Sequence, residues 1–98
     1  MKYVLVQSRH RHKDIEKLPA IFQSVSGAQV LDFDWHKKII HNKLQHKKFS
    51  EQEQLEVYVT GLTPVLISVL NYCRLFNIPI MLYHYSIVSD SYVSQSVI

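Results

Sequence analysis

Four short apolar runs along the chain predict β-strands. Three of them, at residues 2–7, 55–60 and 80–85, are nearly continuous and rich in β-branched and aromatic side chains. Such runs are typical of parallel strands that are covered on both faces. A fourth run, at residues 29–33, predicts the second strand in chain order.

Apolar positions spaced three and four residues apart predict helices between these strands. The first helix is expected over residues 15–25, where Pro19 either lies early in the helix or shifts its start to Lys17. Residues 35–48 predict a helix with a weak apolar face, and residues 64–76 a helix that is apolar on most faces.

The alternation of strands and helices predicts the α/β class. Short connections and right-handed crossovers favour a small Rossmann-like, mostly parallel sheet with strand order 2-1-3-4, flanked by helices. We expect residues 1–86 to form a single domain. The serine-rich residues 87–98 alternate in polarity at 92–97, and they are either a C-terminal edge strand or a flexible tail of the same domain.

Composition limits the class of protein. The chain has 98 residues, 47% of them hydrophobic, which suits one domain with a modest core. No apolar run is long enough to span a bilayer, and the first residues do not resemble a signal peptide, so no membrane partner is expected. Cys73 is the only cysteine and lies in an apolar stretch, which suggests a core residue in a reducing, cytoplasmic protein.

Positive charge is concentrated in two segments. The formal net charge is +3, and residues 35–49 contain five lysines and three histidines without an acidic residue. A second cluster, residues 9–13, directly follows the first strand. Basic patches of this kind predict a polyanionic partner.

Two loops are expected to meet at the carboxyl edge of the sheet, at the switch point where ligands bind in open α/β folds. The first loop follows strand one and contains Ser8, Arg9, His10, Arg11 and His12. The second loop, called here the 60–63 turn, consists of Thr60, Gly61, Leu62 and Thr63. Thr63 is the predicted N-cap of the following helix, whose amino terminus favours a phosphate.

These loops contain groups suited to phosphate chemistry. Arg9 and Arg11 can bind a phosphate in a bidentate manner, and His10 or His12 can transfer a proton near neutral pH. His84, at the end of the fourth strand, is a further candidate acid or base. Its neighbours Tyr83 and Tyr85 either stack on a base or pack together against a helix. The histidine spacings match no metal motif, so neither a metal nor a cofactor is expected.

The strand, the Thr-Gly turn and the apolar helix that begins near Thr63 and Pro64 resemble CARF domains, the Rossmann-like sensors of cyclic oligoadenylates in type III CRISPR systems. The small size is similar to stand-alone proteins of this group that act as ring nucleases or sequester the ligand. The resemblance implies a homodimer, or a higher homo-oligomer, with a ligand pocket across the two-fold axis. Where this chain has Leu62, the commoner pattern of the family has a second glycine.

The resemblance also implies roles for individual residues. It assigns phosphate binding to the 60–63 turn and the other ligand-facing loop to Ser8, Arg9 and His10. Ring nucleases of this kind cleave without metal, because a ribose 2′-hydroxyl attacks the adjacent phosphate. Arg9 and Arg11 would then supply positive charge and His10 a proton.

Three functions therefore follow as hypotheses. The first is degradation of a cyclic oligoadenylate, most simply cyclic tetra-adenylate, in antiviral defence. The second is a sensor or sponge that binds the same ligand without cleaving it. The third is a nucleic-acid-binding protein that uses the lysine-rich helix, which we consider the least favoured because a run of charges is usually a solvated face.

Overall fold

A five-stranded sheet with two helices forms the described part of the protein, for which a computed structural model gives residues 1–7 and 15–97. The strands are β1 Lys2–Val6, β2 Ala20–Phe22, β3 Leu55–Tyr58, β4 Ile80–Ser86 and β5 Ser91–Ser96, and the helices are α1 Phe33–Leu44 and α2 Thr63–Leu75. The strand order is β2-β1-β3-β4-β5. The first four are parallel to their neighbours and β5 is antiparallel to β4, which confirms the predicted α/β class.

Both helices pack on the same face of the sheet. Leu5, Leu55 and Val57 point from the strands into a core that also contains Ile40 of α1 and Val69 of α2, all of them fully buried. Burial of one such side chain stabilises the fold by about 1.5–3 kcal/mol. Most of the buried apolar side chains in the described residues therefore lie in this one helix–sheet layer.

A smaller apolar cluster lies on the other face of β1. Val4, Ile15 and Ala20 form it, and the half-buried rings of Tyr58 and Tyr92 pack against it. Both faces of β1 are therefore covered, which explains why its sequence is apolar without alternation.

The predicted helix over residues 15–25 is wrong, because Ala20, Ile21 and Phe22 form the short strand β2 instead. The N–H of Val4 donates to the carbonyl of Pro19 at 2.9 Å, and the N–H of Gln7 donates to the carbonyl of Phe22 at 2.8 Å. Pro19 has no N–H for a helical bond, and pairing with β1 satisfies these carbonyls. Strand two is therefore a different segment from the one predicted.

The predicted strand at residues 29–33 is also wrong. Gln29 and Val30 donate to the carbonyl of Ser26 in a turn, and the next helix begins at Phe33. The Asp32 carboxylate accepts from the N–H of Trp35 at 3.1 Å and is the N-cap of α1. An aspartate in this position stabilises a helix start by about 1 kcal/mol, and this cap places the start of α1 within the predicted strand.

The remaining elements agree with the sequence in kind, although α1 covers Phe33–Leu44 rather than the predicted residues 35–48. Residues 49–54 form a turn, in which the N–H of Glu53 donates to Ser50 Oγ at 3.1 Å. Ser91–Ser96 is the edge strand β5 rather than a tail, paired along its length with β4. Cys73 is a buried core residue, and burial raises the pKa of its thiol to about 12. In the described ranges no helix is long and apolar enough to cross a membrane.

Candidate functional site

The carboxyl ends of β1 and β3 are joined by the side chain of Thr60. Its Oγ1 accepts from the N–H of Val6 at 3.0 Å and donates to the carbonyl of the same residue at 3.2 Å. Both bonds link residues 54 positions apart in the sequence. Thr60 therefore fixes the last residue of β1 against the 60–63 turn, and its hydroxyl proton is already used within the fold.

The backbone of the 60–63 turn adopts two successive positive φ angles. Gly61 has φ 105°, and Leu62 has φ 62° with ψ 76°, in the left-handed region. Glycine adopts such angles without a steric penalty, whereas leucine adopts them rarely. Leu62 is half-buried against the main core, and this packing holds it in the unfavourable conformation.

The helix α2 begins one residue earlier than predicted. Leu62 is its N-cap and Thr63 its first residue, so the prediction that Thr63 is the N-cap is wrong. The carbonyl of Leu62 accepts from the N–H groups of Val65 at 3.0 Å and Leu66 at 3.2 Å, which completes the first turn. No side chain caps this end of the helix.

The amino terminus of α2 leaves backbone donors without an acceptor. The N–H groups of Gly61, Leu62 and Thr63 form no hydrogen bond with any acceptor in residues 1–7 and 15–97. The first turn of α2 contains no acidic side chain, and Gly61 and Thr63 are exposed. The partial positive charge of a helix amino terminus, about half an elementary charge, adds to these donors. The turn can therefore bind an anionic oxygen.

His84 lies near the same edge of the sheet, on β4, which pairs directly with β3. The register pairs Tyr58 of β3 with Tyr83, so His84 is one residue closer to the carboxyl edge. It is on the helix side of the sheet with buried Leu82, because alternate residues share a face. Its Nε2 lies 2.8 Å from Oε1 of Gln95. Since an amide oxygen only accepts, Nε2 donates and Nδ1 is the acceptor in the neutral ring.

Tyr83 and Tyr85 lie together on the opposite face of the sheet. One of the two alternatives expected from the sequence has both rings packed together against a helix, but the rings pack on other tyrosines instead. The ring of Tyr83 stacks on Tyr58 with centroids 4.7 Å apart, and Tyr85 contacts Tyr92 at 5.6 Å. The hydroxyl of Tyr83 donates to Oε1 of Glu56 at 2.8 Å, and this bond raises the pKa of Tyr83 to about 12. These rings stabilise the open face of the sheet.

The bond between Tyr83 and Glu56 gives a pH-dependent prediction. Because the pKa of Tyr83 rises from 10.0 to about 12 on folding, its contribution to stability is fully present below pH 10 and is lost as pH rises through 12. The stability difference between wild type and Tyr83→Phe should be constant from pH 7 to 9 and shrink above pH 10. Urea unfolding across this range measures it. Tyr58→Phe is the control for removal of a tyrosine hydroxyl, because the hydroxyl of Tyr58 forms no hydrogen bond with the described residues.

The other predicted site residues lie outside the described residues. Ser8, Arg9, His10, Arg11 and His12 all fall within residues 8–14, between the end of β1 and Ile15. Their roles stay predictions from the sequence. The structure does show that β1, which leads into this segment, ends at the 60–63 turn.

Two histidines of the basic segment have roles that the sequence reasoning missed. His36 is fully buried, and His41 bonds through Nδ1 to the hydroxyl of Tyr72 at 2.9 Å, so both link α1 to α2. His36 is four residues before Ile40 and eight before Leu44, the other buried residues of α1. This helical spacing indicates, from the sequence alone, that His36 lies on the buried face of the helix. Lys37 and Lys38 are exposed, as expected of a solvated face.

An open groove lies at the opposite end of the sheet. It has a volume of about 890 Å³ and borders the start of β4, with Phe49, Arg74 and Ile80 among its lining residues. No residue of the 60–63 turn lines it. We locate the candidate site at the turn, because unbonded donors and an exposed glycine indicate anion binding more specifically than open volume does. No group of three metal-ligating side chains occurs among residues 1–7 and 15–97.

Comparison with known proteins does not extend this description. A scan against protein-family models, a search of the curated proteins and a search of the solved structures each found no match. We therefore infer the function from the geometry of this chain and from the residues of its sequence.

Proposed function

We propose that the 60–63 turn binds a phosphate of a cyclic oligoadenylate. The observation that supports this most strongly is the set of three consecutive N–H groups, on Gly61, Leu62 and Thr63, that have no acceptor in the described chain. They lie at the amino terminus of a 13-residue helix and at the switch point between β1 and β3. The cyclic oligoadenylate is the anion suggested by the resemblance to CARF domains, and cyclic tetra-adenylate is the simplest choice.

We further propose that bound ligand is cleaved. A ribose 2′-hydroxyl attacks the adjacent phosphorus, the bond from phosphorus to the 5′ oxygen breaks, and a 2′,3′-cyclic phosphate forms. The N–H groups of the turn bind a phosphate oxygen on which charge increases in the transition state. Arg9 and Arg11 add positive charge. The 2′-hydroxyl loses its proton to water as it attacks, and His10 transfers a proton to the leaving 5′ oxygen.

The reacting unit in this proposal is a homodimer. A symmetric cyclic ligand fits a pocket built from two copies of the same turn about a two-fold axis. Light scattering coupled to gel filtration tests the oligomeric state, and the expected mass is twice that of the 11.5 kDa chain. If the protein is a monomer and still binds the ligand, the pocket is formed by one copy of the chain and not by two.

The enzymatic proposal predicts cleavage that is independent of metal. Incubating the protein with cyclic tetra-adenylate and EDTA should give linear products with 2′,3′-cyclic phosphate ends, separable by chromatography. Arg9→Ala and His10→Ala should abolish cleavage and leave binding measurable. Full activity in both variants would contradict the assigned roles.

A sensor or sponge is the second candidate, and one observation favours it. His84 is the histidine of β4 near its carboxyl edge, and its Nε2 is already bonded to Gln95. Saturable binding with intact ligand after hours would support this function over cleavage. Tight binding of duplex or single-stranded nucleic acid, weakening steeply with salt, would instead favour the lysine-rich helix as the functional surface.

A further inference from the structure

A partly buried chain of hydrogen bonds connects α1 to the first turn of α2. Nε2 of His36 lies 2.7 Å from the carbonyl of Gln29, and Nδ1 lies 2.7 Å from Oγ of Ser68. Since a carbonyl only accepts, Nε2 donates to Gln29 and Nδ1 is the acceptor in the neutral ring. The single hydroxyl proton of Ser68 is therefore shared between Nδ1 and the carbonyl of Pro64, which lies 3.2 Å from Oγ. Four residues from three separate segments are therefore joined through one imidazole ring.

The environment of His36 is almost entirely aromatic. The ring has no exposed surface, and it contacts the rings of Phe22, Phe33 and Trp35 at centroid distances of 5.8, 5.7 and 5.8 Å. A buried polar group costs stability unless it is hydrogen-bonded, and here both ring nitrogens have partners. A leucine or phenylalanine could form neither of these hydrogen bonds, so the histidine has a role beyond packing.

The far end of this chain of bonds lies beside the 60–63 turn. Pro64 is the second residue of α2, and the carbonyl of Leu62, two residues earlier, accepts from Val65 and Leu66. A shift of Ser68 or Pro64 therefore moves the first turn of the helix, and with it the direction in which the unbonded N–H groups point. Leu62, with its positive φ, has little intrinsic preference for the observed conformation.

We propose that His36 and Ser68 are positioning residues for the anion site. They hold the first turn of α2 in the arrangement that aims the N–H groups of Gly61, Leu62 and Thr63 at one ligand oxygen. The part of this inference that concerns ligand binding rests on the proposed function. The part that concerns the order of the first turn can be tested in the free protein.

A second bridge between the same two helices provides the matched control. His41 bonds to the hydroxyl of Tyr72, four residues further along α2 than Ser68. Ser68→Ala and Tyr72→Phe each remove one hydroxyl from one histidine bridge, at different distances from the 60–63 turn. A general loosening of the helix pair would affect both variants alike, whereas positioning of the turn requires Ser68 alone.

Amide hydrogen exchange resolved by NMR tests the inference without ligand. In Ser68→Ala the N–H groups of Val65 and Leu66 should exchange roughly three- to tenfold faster than in wild type, the effect of one lost hydrogen bond. In Tyr72→Phe their exchange should match wild type. Ser68→Thr should restore slow exchange, because a threonine hydroxyl also bonds the carbonyl four residues earlier, and a 210 Å³ cleft beside Ser68 has room for its methyl group. Unchanged exchange in Ser68→Ala, or equal acceleration in both variants, would overturn the proposal.

Calorimetric titration with cyclic tetra-adenylate tests the connection to function. Ser68→Ala should bind about tenfold more weakly than wild type, because the donors lose their common direction, while Tyr72→Phe and Ser68→Thr should bind like wild type. Failure of the wild type to bind contradicts the proposed function, and the exchange measurement still decides the positioning role. Wild-type affinity in Ser68→Ala would show that the bridge does not position the site.

Discussion

Replacing Gly61 with alanine is expected to lower the free energy of unfolding by about 2 kcal/mol and to weaken cyclic tetra-adenylate binding about tenfold or more. The φ of Gly61 is 105°, an angle that an L-amino acid adopts only with strain. Relief of that strain would rotate the neighbouring peptide groups, including the N–H of Leu62. Urea unfolding measures the first effect and calorimetric titration the second.

Gly27→Ala is the control for this substitution. A Cβ at Gly27 would have no atom within 4 Å, and its φ is not positive. Alanine there should leave ligand affinity unchanged and should stabilise the fold slightly, because it restricts the unfolded chain. Equal stability losses in the two variants would show that the conformation of Gly61 is not special.

Thr60→Val is expected to lower the free energy of unfolding by about 2 kcal/mol, because it removes both bonds between Thr60 Oγ1 and the backbone of Val6. Valine has nearly the same shape, so the loss reports the hydrogen bonds rather than packing. Chemical unfolding of the purified variant measures it. We also expect weaker ligand binding, since the end of β1 is no longer held against the 60–63 turn.

Thr63→Val separates this structural role from contact with ligand. Thr63 is exposed and its hydroxyl forms no hydrogen bond with the described residues. The free energy of unfolding of Thr63→Val should therefore stay within about 0.5 kcal/mol of wild type. If its hydroxyl contacts a ligand phosphate, affinity should still fall. A stability loss as large as that of Thr60→Val would contradict the conclusion that the hydroxyl of Thr60 holds the end of β1 against the turn.

The elements that the sequence predicts correctly are those with strong local patterns. The strands β1, β3 and β4 are apolar runs, and α2 combines helical spacing with Pro64 in its first turn. Residues 15–25 mislead because Ile15 and Ala20 contact one side of the sheet while Ile21 and Phe22 contact the other. A three-residue strand is too short to show its period, and only its partner β1 determines its conformation.

The candidate site is predictable in position but not in detail. The Thr-Gly turn before an apolar helix indicates the location, because local residues set it. The use of the Thr60 hydroxyl by Val6 depends on a contact across 54 residues, and no local pattern encodes it. The same is true of His36, whose partners Gln29 and Ser68 meet only after the helices pack.

The central claim, that the 60–63 turn is the ligand site, is tested most directly by NMR titration of the ¹⁵N-labelled protein with cyclic tetra-adenylate. Among residues 1–7 and 15–97, we expect the largest chemical-shift changes at the amides of Gly61, Leu62 and Thr63. These changes should be smaller in Gly61→Ala and unchanged in Gly27→Ala. Shift changes confined to the groove around Phe49 and Arg74 or to the lysines of α1, or no change at saturating ligand, would contradict it.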